Sequence, residues 1–115
     1  MTQAIVFDVG GTNSRLAVFD GQEIVWRTQV ATPAQQGPLA MLATMQEMYQ
    51  EMYQEMYQEV EHIDAPIGVA IAGIIRNGCV FHANPSIIKG WEDFPLQAEL
   101  SRRFQRPVAL CNDAR

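Results

Sequence analysis

The sequence predicts a lobe of the α/β class, built on a mixed five-stranded sheet with an antiparallel three-strand meander and helical crossovers. Three observations support this prediction: three strand-like segments follow one another near the N-terminus, a long helical segment comes next, and a nearly uniformly apolar run follows the helix. Short links between strands favour antiparallel pairing, whereas a strand reached through a helix runs parallel to its partner by a right-handed crossover. The sheet is therefore expected to be mixed.

The meander is predicted from segments rich in β-branched and aromatic residues. The first covers residues 4–9 and stops at the glycine pair 10–11, as is typical of a strand that ends in a turn. Residues 14–20 and 23–30 alternate well enough for two more strands, and an Asp-Gly turn at 20–21 separates them. The links are too short for a crossover, so the three strands should be antiparallel.

The rest of the lobe alternates helices with strands. A helix is predicted from about residue 39 to about residue 62, with Pro38 suited to its first turn. Residues 66–72 are almost all apolar and predict a strand that is buried on both faces of a parallel sheet. The remaining elements are turns and short strands over 73–94, a helix over 95–104 and a strand over 107–111.

Composition limits the classes of protein that fit. The chain has 115 residues, of which 48% are apolar and 18% are charged, which is typical of one globular domain or one lobe of a larger protein. No apolar run approaches the roughly 20 residues of a membrane-spanning helix, and residues 1–10 lack the pattern of a signal peptide. We therefore expect a cytoplasmic protein that does not interact with membranes.

The net charge of −5 has a local origin. Five glutamates lie between residues 47 and 61, where there is no lysine or arginine, and the acids and bases elsewhere balance. A protein without a basic stripe is poorly suited to nucleic-acid phosphates, so no nucleic-acid partner is expected. The glutamates are Glu47, Glu51, Glu55, Glu59 and Glu61.

Two smaller groups of residues are assigned structural roles. Arg102, Arg103 and Arg106 form a cluster that we interpret as the solvated face of a helix. Cys79 and Cys111 lie 32 positions apart without a CxxC spacing. We interpret them as small buried thiols in a reducing compartment, and expect no zinc site within this chain.

Residues 47–58 read EMYQ three times in succession. The period is far shorter than the roughly 20–50 residues of solenoid repeats. A helix has 3.6 residues per turn, so a four-residue repeat drifts by about 40° per copy, and the methionine and tyrosine stripes cannot all face one sheet. We favour a tandem expansion, natural or engineered, that lengthened a helix without adding chemistry; the alternative is a functional Met/Tyr stripe for a cofactor or partner.

The first candidate site is the segment DVGGTNSR, from Asp8 to Arg15. Its two glycines let the backbone turn tightly and approach a ligand closely. The N–H groups and side chains that follow offer donors to a phosphate, and Asp8 can hold a metal-bound water. A plain hairpin is the alternative, but the polar residues on both sides of the glycines favour phosphate binding. The candidate ligands are Gly10, Gly11, Thr12, Asn13 and Arg15.

Two further candidate sites follow later strands. Gly73 ends the apolar strand, and Asn84 downstream offers both a donor and an acceptor to a sugar hydroxyl. Asn112 and Asp113 directly follow the last strand, where an aspartate can accept a proton from an attacking hydroxyl. The alternatives are ordinary turn residues for the first pair and a helix N-cap for Asp113.

The predicted topology brings these segments together. Residues 8–10, Gly73 and the pair 112–113 all follow the carboxyl ends of strands that are expected to be mutually parallel. Ligands of open α/β sheets bind at that edge. Three polar groups at one edge favour a shared site over three unrelated turns.

The motifs also resemble a known family. DVGGTNSRLAVFD is similar to the first phosphate motif of the actin-like ATPase superfamily, which has a ribonuclease H-like fold. GVAIAGIIRNGCVFHANPSIIKGWEDFPLQAEL followed by PVALCNDA resembles the ROK family (repressors, open reading frames and kinases). The GIIRNG…NP portion is most similar to the N-acetylmannosamine kinases of bacteria, and the resemblance covers nearly all of residues 4–114.

The resemblance implies ATP-dependent phosphorylation of a hexose or N-acylhexosamine, with N-acetylmannosamine and sialic acid catabolism as its specific form. It implies that Asp113 is the catalytic base and that the DxGGT turn contacts ATP phosphates and Mg²⁺, with Asp8 acting on the metal through water. It also implies a homodimer at full length. The sugar-binding positions that it implies are Gly73, Asn84, Asn112 and Asp113.

On this resemblance, residues 1–115 are the N-terminal lobe, without the C-terminal lobe that would carry the adenosine pocket and any zinc ligands. We expect such a lobe alone to be inactive. The alternatives are a glucokinase or fructokinase of the same family, and a truncated or engineered lobe without catalysis. A sugar-sensing repressor is disfavoured, because only seven residues precede Asp8, where a DNA-binding helix-turn-helix would be expected.

Overall fold

The computed structural model describes residues 3–33, 36–71, 74–76, 79–82 and 94–112. Every helix and strand predicted with bounds is present, with ends that differ by at most two residues from the prediction, and the predicted segment of turns and short strands over 73–94 lies partly outside the described residues. The elements in chain order are β1 (Gln3–Val9), β2 (Asn13–Asp20), β3 (Glu23–Ala31), α1 (Pro38–Val60), β4 (Ile67–Ile71), β5 (Ile74–Arg76), β6 (Cys79–His82), α2 (Leu96–Phe104) and β7 (Val108–Asn112).

Five strands form the predicted mixed sheet, in the order β3-β2-β1-β4-β7. The meander β1-β2-β3 is antiparallel, and a turn with Gly21 at a φ of 65° joins its last two strands. Strands β4 and β7, each reached through a helix, run parallel to β1. The pair β5-β6 forms a separate antiparallel sheet. The predicted fold class is therefore confirmed.

The core lies on one face of the sheet, between the strands and the two helices. Alternate residues of β1, β2 and β4 point into it, and Phe7 stacks on Phe104 of α2 with 5.5 Å between the ring centres. The prediction that β4 is buried on both faces is wrong, because Gly68 and Ala70 are only half-buried. In the described part of the chain, both helices contribute to the core on a single face.

Two assignments of surface and buried residues also need correction. Cys111 is exposed rather than buried, because it alternates along β7 with Val108 and Leu110, which pack on the core, and so lies on the opposite face of the strand. Arg102 is exposed as expected, but Arg103 and Arg106 are half-buried. Both reach across to α1: Arg103 donates to the side-chain oxygen of Gln46 (3.0 Å), and Arg106 donates to the carbonyl of Val60 (3.0 Å).

The three copies of the EMYQ repeat occupy different environments along α1. Met48 and Met52 belong to the core, whereas Met56 is only half-buried and Tyr57 is 49% exposed. The predicted drift is therefore visible in the third copy. The helix departs from helical geometry at Met56 (φ −121°, ψ 24°), and after this break Val60 is again fully buried. The first two copies thus contribute to the core.

No helix in the described part of the chain is long and apolar enough to cross a membrane.

The repeat allows a matched test of these environments. We expect Met52→Ala to lower the free energy of unfolding by about 2–5 kcal/mol, because it leaves a cavity in a closely packed core. Met56→Ala, the same change one copy later, should cost less than half as much. Urea unfolding followed by circular dichroism measures both values. Equal losses in the two variants would contradict the assignment of Met52 to the core.

Candidate functional site

The carboxyl ends of the three parallel strands meet at one edge of the sheet. Val9 at the end of β1 pairs with Ile71 at the end of β4, which in turn pairs with Asn112 at the end of β7. Neighbouring strands are about 4.8 Å apart, so Val9 and Asn112 lie about 10 Å from each other across the edge. The strand arrangement on which the predicted site depends is therefore present.

The structure describes only part of the predicted set of site residues. Gly73, Asn84 and Asp113 lie outside the described residues, although Asp113 directly follows Asn112 in the sequence. Asn112 is the last residue of β7. The predicted phosphate ligands are all described and lie on or between β1 and β2; these are Asp8, Gly10, Gly11, Thr12, Asn13 and Arg15.

The turn between β1 and β2 is tight. The backbone N–H of Gly10 donates to the carbonyl of Asn13 (3.0 Å). A Cβ atom added at Gly10 would lie 3.1 Å from that same carbonyl oxygen, closer than nearly all real Cβ contacts. A side chain at Gly10 would therefore push the two sides of the turn apart. This close approach favours glycine as the first residue of the pair.

The next two residues of the turn remain available to a ligand. Thr12 is exposed and Gly11 is half-buried. Within the described part of the chain, the N–H groups of Gly11 and Thr12 take part in no backbone hydrogen bond, unlike that of Gly10. Successive N–H groups of this kind form a concave surface that binds anions. The turn is therefore suited to a phosphate oxygen.

Thr32, which the sequence analysis did not select, fixes this turn from the end of β3. Its hydroxyl donates to the carbonyl of Gly10 (2.8 Å), and its backbone N–H donates to the carbonyl of Thr12 (2.9 Å). Two carbonyls of the turn are therefore held by one residue that lies about 20 positions away in the sequence. Thr32 therefore satisfies both carbonyl oxygens and ties the turn to the end of β3.

Ser14 extends the same network into the core. Its hydroxyl lies 2.7 Å from the Thr32 hydroxyl and 3.9 Å from the sulfur of Met41 on α1. Since Thr32 gives its proton to Gly10, Ser14 donates to Thr32. Ser14 is fully buried, in line with Leu16 and Val18 on the inward face of β2. One feature of the sequence could have indicated this network: Ser14 occupies a core-facing position of a predicted strand, and a buried hydroxyl needs a hydrogen-bond partner.

Asp8 and Arg15 form a cross-strand pair on the opposite face of the sheet. Arg15 Nη1 lies 3.8 Å from Asp8 Oδ2, and Arg15 Nε donates to the side-chain oxygen of Gln29 (2.9 Å). The Arg15 side chain is 57% exposed, so this ion pair contributes little to stability. Among the described residues, the Arg15 side chain contacts Asp8 and Gln29 on the neighbouring strands and no residue of the turn. Asp8, by contrast, lies only two residues before Gly10 in the sequence.

The arrangement can hold a nucleotide phosphate and its metal ion. Mg²⁺ prefers oxygen ligands and retains several of its waters. Asp8 lies two residues before Gly10 and its side chain is 28% exposed, and a carboxylate at this position suits a water-mediated contact with Mg²⁺. The N–H groups of Gly11 and Thr12 suit the phosphate oxygens. The donor set of the described residues therefore fits both groups.

Comparison with known proteins identifies relatives over nearly the whole chain. Residues 4–115 match the ROK family. The N-acetylmannosamine kinase of Haemophilus influenzae is 29% identical over 112 residues, which cover 97% of this chain and 35% of that protein. The N-acetyl-D-glucosamine kinase of Yersinia pseudotuberculosis is 36% identical over 111 residues, which cover 94% of this chain and 34% of that protein. The chain thus spans about a third of the length of these curated relatives.

A solved structure shows the same fold. The inorganic polyphosphate/ATP-glucomannokinase of Arthrobacter sp. strain KM superposes with a TM-score of 0.80 and 28% sequence identity, over 99% of this chain and 45% of that one. Sugar kinases of the actin-like ATPase fold are among the structural neighbours, as the motifs predicted, and a ROK family transcriptional regulator, a homolog of the E. coli MLC protein, shares the fold as well. The β1-β2 turn and the parallel strand ends therefore belong to a fold found in known kinases.

The role of Thr32, which directly follows β3, can be tested against Thr28 within that strand. We expect Thr32→Val to lower the free energy of unfolding by about 1–3 kcal/mol, because the Gly10 carbonyl and the Ser14 hydroxyl lose their partner. Thr28 lies four residues earlier and makes no side-chain hydrogen bond within the described part of the chain. Thr28→Val should therefore change stability by less than 0.5 kcal/mol, which is roughly the range of ordinary substitutions. Equal effects in thermal or urea unfolding would refute the role of Thr32.

Proposed function

The chain belongs to the ROK family, and we propose that it is the N-terminal lobe of an ATP-dependent sugar kinase that phosphorylates a hexose or N-acylhexosamine. The observation that carries this proposal is the turn after β1, where the N–H groups of Gly11 and Thr12 make no backbone hydrogen bond among the described residues, at the edge where the three parallel strands end. Binding ATP phosphates there would bring the γ-phosphate to the edge at which β7 ends with Asn112, the residue before Asp113 in the sequence.

For the substrate we propose N-acetylmannosamine, converted to its 6-phosphate as in sialic acid catabolism. The Haemophilus influenzae relative carries that activity in its name, and the GIIRNG…NP segment supports it. N-acetyl-D-glucosamine is the second candidate, because the Yersinia pseudotuberculosis relative has the higher identity, 36%. The turnover of both sugars, with glucose and fructose beside them, distinguishes these substrates in a coupled ADP assay.

The residues of the chain would divide the chemistry as follows. The N–H groups of the turn bind and orient the phosphates, and Asp8 orients the waters of the metal. Asp113 accepts the proton of the sugar hydroxyl, which makes the oxygen a better nucleophile. When bound, Mg-ATP supplies the phosphoryl group and neutralises part of its charge. The remaining polar positions, Gly73, Asn84 and Asn112, bind the sugar hydroxyls.

The same proposal covers the cellular context of the full-length protein. We propose a cytoplasmic homodimer that acts on small molecules and has neither nucleic acid nor membranes as partners. The lobe alone is expected to be inactive, because phosphoryl transfer needs both substrates to be positioned and shielded from water between two lobes.

The catalytic base is tested in a full-length protein that carries this lobe. We expect Asp113→Asn to lower kcat by at least a hundredfold while the sugar still binds, because the amide keeps the shape but accepts no proton. Asp64→Asn is the matched control: Asp64 is exposed, in the link between α1 and β4 at the other edge of the sheet. Near-normal turnover of the Asp113 variant would rule out its role as base, whereas loss in both variants would indicate a general charge effect.

The phosphate turn is tested by a pair of glycine substitutions in the same protein. Gly10→Ala should raise the KM for ATP at least tenfold, because the new Cβ would lie 3.1 Å from the Asn13 carbonyl and distort the turn. Gly68→Ala on β4 places its Cβ in ordinary contact, 3.8 Å from Val6, and should leave the KM for ATP unchanged. If the Gly10 variant also retains the normal KM, the turn does not bind ATP.

A further inference from the structure

Gly10, the first residue of the turn between β1 and β2, is held by hydrogen bonds at both its N–H and its carbonyl. Its N–H donates to the carbonyl of Asn13 (3.0 Å), and its own carbonyl accepts from the Thr32 hydroxyl (2.8 Å). The first bond closes the turn on itself, whereas the second ties it to the residue that directly follows β3. The orientation of the peptide group between Gly10 and Gly11 therefore depends on a side chain that lies outside the turn.

This peptide group carries both the Gly10 carbonyl and the Gly11 N–H. A trans peptide group is planar, and its C=O and N–H bonds point in opposite directions. Because the Thr32 hydroxyl holds the carbonyl, it also fixes the direction of the Gly11 N–H, which points away from Thr32. The Gly11 N–H is one of the two in the turn that make no backbone hydrogen bond among the described residues.

Ser14 determines where the Thr32 proton goes. The two hydroxyl oxygens lie 2.7 Å apart, so either can be the donor. If Thr32 donated to Ser14, the Ser14 proton would be left with the sulfur of Met41, 3.9 Å away, and the Gly10 carbonyl would lose the Thr32 proton. A thioether is a much weaker acceptor than a carbonyl. The arrangement in which Ser14 donates to Thr32 and Thr32 donates to Gly10 is therefore favoured.

Burial makes this chain of hydroxyl groups a firm support. Ser14 is fully buried and Thr32 is half-buried, so water competes poorly for their hydrogen bonds. Hydrogen bonds are electrostatically stronger in such surroundings than in water, and bonds in a chain polarise one another. The support begins beside Met41 on α1 and ends at the Gly10 carbonyl.

We propose that Thr32, oriented by Ser14, is a positioning residue for ATP binding: it sets the direction of the Gly11 N–H, to which a phosphate oxygen of the nucleotide binds. This inference rests on the proposed function of the turn. Thr32 acts through the Gly10–Gly11 peptide group and needs no contact with the ligand. Without the Thr32 hydroxyl, the nucleotide would have to order this peptide group as it binds, which lowers affinity.

The test measures the KM for ATP and the KM for the sugar in a full-length protein that carries this lobe. Thr32→Val keeps the branched shape and the backbone N–H that donates to Thr12, but removes the hydroxyl. We expect the KM for ATP to rise about three- to tenfold, the range of one net hydrogen bond. The KM for the sugar should not change, because its candidate ligands belong to other segments. Thr32→Ser should restore the KM for ATP, and a folded Thr32→Val variant with a normal KM for ATP would overturn the proposal.

Two control variants separate positioning from a loss of stability. Met52→Ala removes part of a fully buried side chain in the core and should destabilise the protein at least as much as Thr32→Val, but should leave the KM for ATP unchanged. Thr28→Val makes the same chemical change within β3 and should also leave it unchanged. All variants are assayed at a temperature at which circular dichroism shows each of them to be folded. An equal rise in KM for the Met52 and Thr32 variants would overturn the proposal.

Two further variants cover the other outcomes. Ser14→Ala retains Thr32 but removes the donor that orients it, and should raise the KM for ATP about two- to threefold; if Thr32→Val does not fold, a normal KM in the Ser14 variant overturns the proposal. Gly10→Ala separates this inference from the proposed function. If Gly10→Ala raises the KM for ATP and Thr32→Val does not, the turn binds ATP but Thr32 does not position it. If neither variant changes the KM, the proposed function fails as well.

Discussion

The hydrogen bonds of Thr32 to the β1-β2 turn are the constraint on which the fold and the candidate site both depend. One residue at the end of β3 holds the carbonyls of Gly10 and Thr12, and through Ser14 it reaches Met41 in the first turns of α1. The meander, the start of the long helix and the phosphate turn are therefore joined at one point. The carbonyls of the turn are engaged there, whereas the N–H groups of Gly11 and Thr12 make no backbone hydrogen bond among the described residues.

The alignment of the strand ends determines which residues lie next to this turn. The register brings Val9, Ile71 and Asn112 side by side, so whatever binds the turn is presented to residues that follow β4 and β7. Two crossover helices of very different length produce this alignment, α1 with 23 residues and α2 with 9. This alignment requires only that each helix returns the chain to the end of the sheet at which the parallel strands begin. A longer α1 still meets this requirement, so α1 can contain a repeat without disturbing the site.

The sequence predicted the elements and the topology well, because periodicity and turn residues are local signals. It missed Thr32 because its partners lie 22 and 20 positions away, and no local pattern reports contacts of that range. It misassigned Arg103 and Arg106 to a solvated face because their burial depends on how α2 packs against α1. The sequence also predicted too much burial for β4. A uniformly apolar strand can tolerate burial on both faces, but its composition does not show whether other elements cover both of them.

Mapping Mg-ATP onto the backbone amides of the chain provides the most direct test of a phosphate site at the β1-β2 turn. At millimolar Mg-ATP, we expect the largest shifts in the ¹H–¹⁵N spectrum at Gly11 and Thr12, whose N–H groups make no backbone hydrogen bond in the described structure. The amide of Gly68, in the middle of the sheet, should remain unchanged. Unchanged amides at Gly11 and Thr12 under saturating Mg-ATP would contradict the assignment of this site.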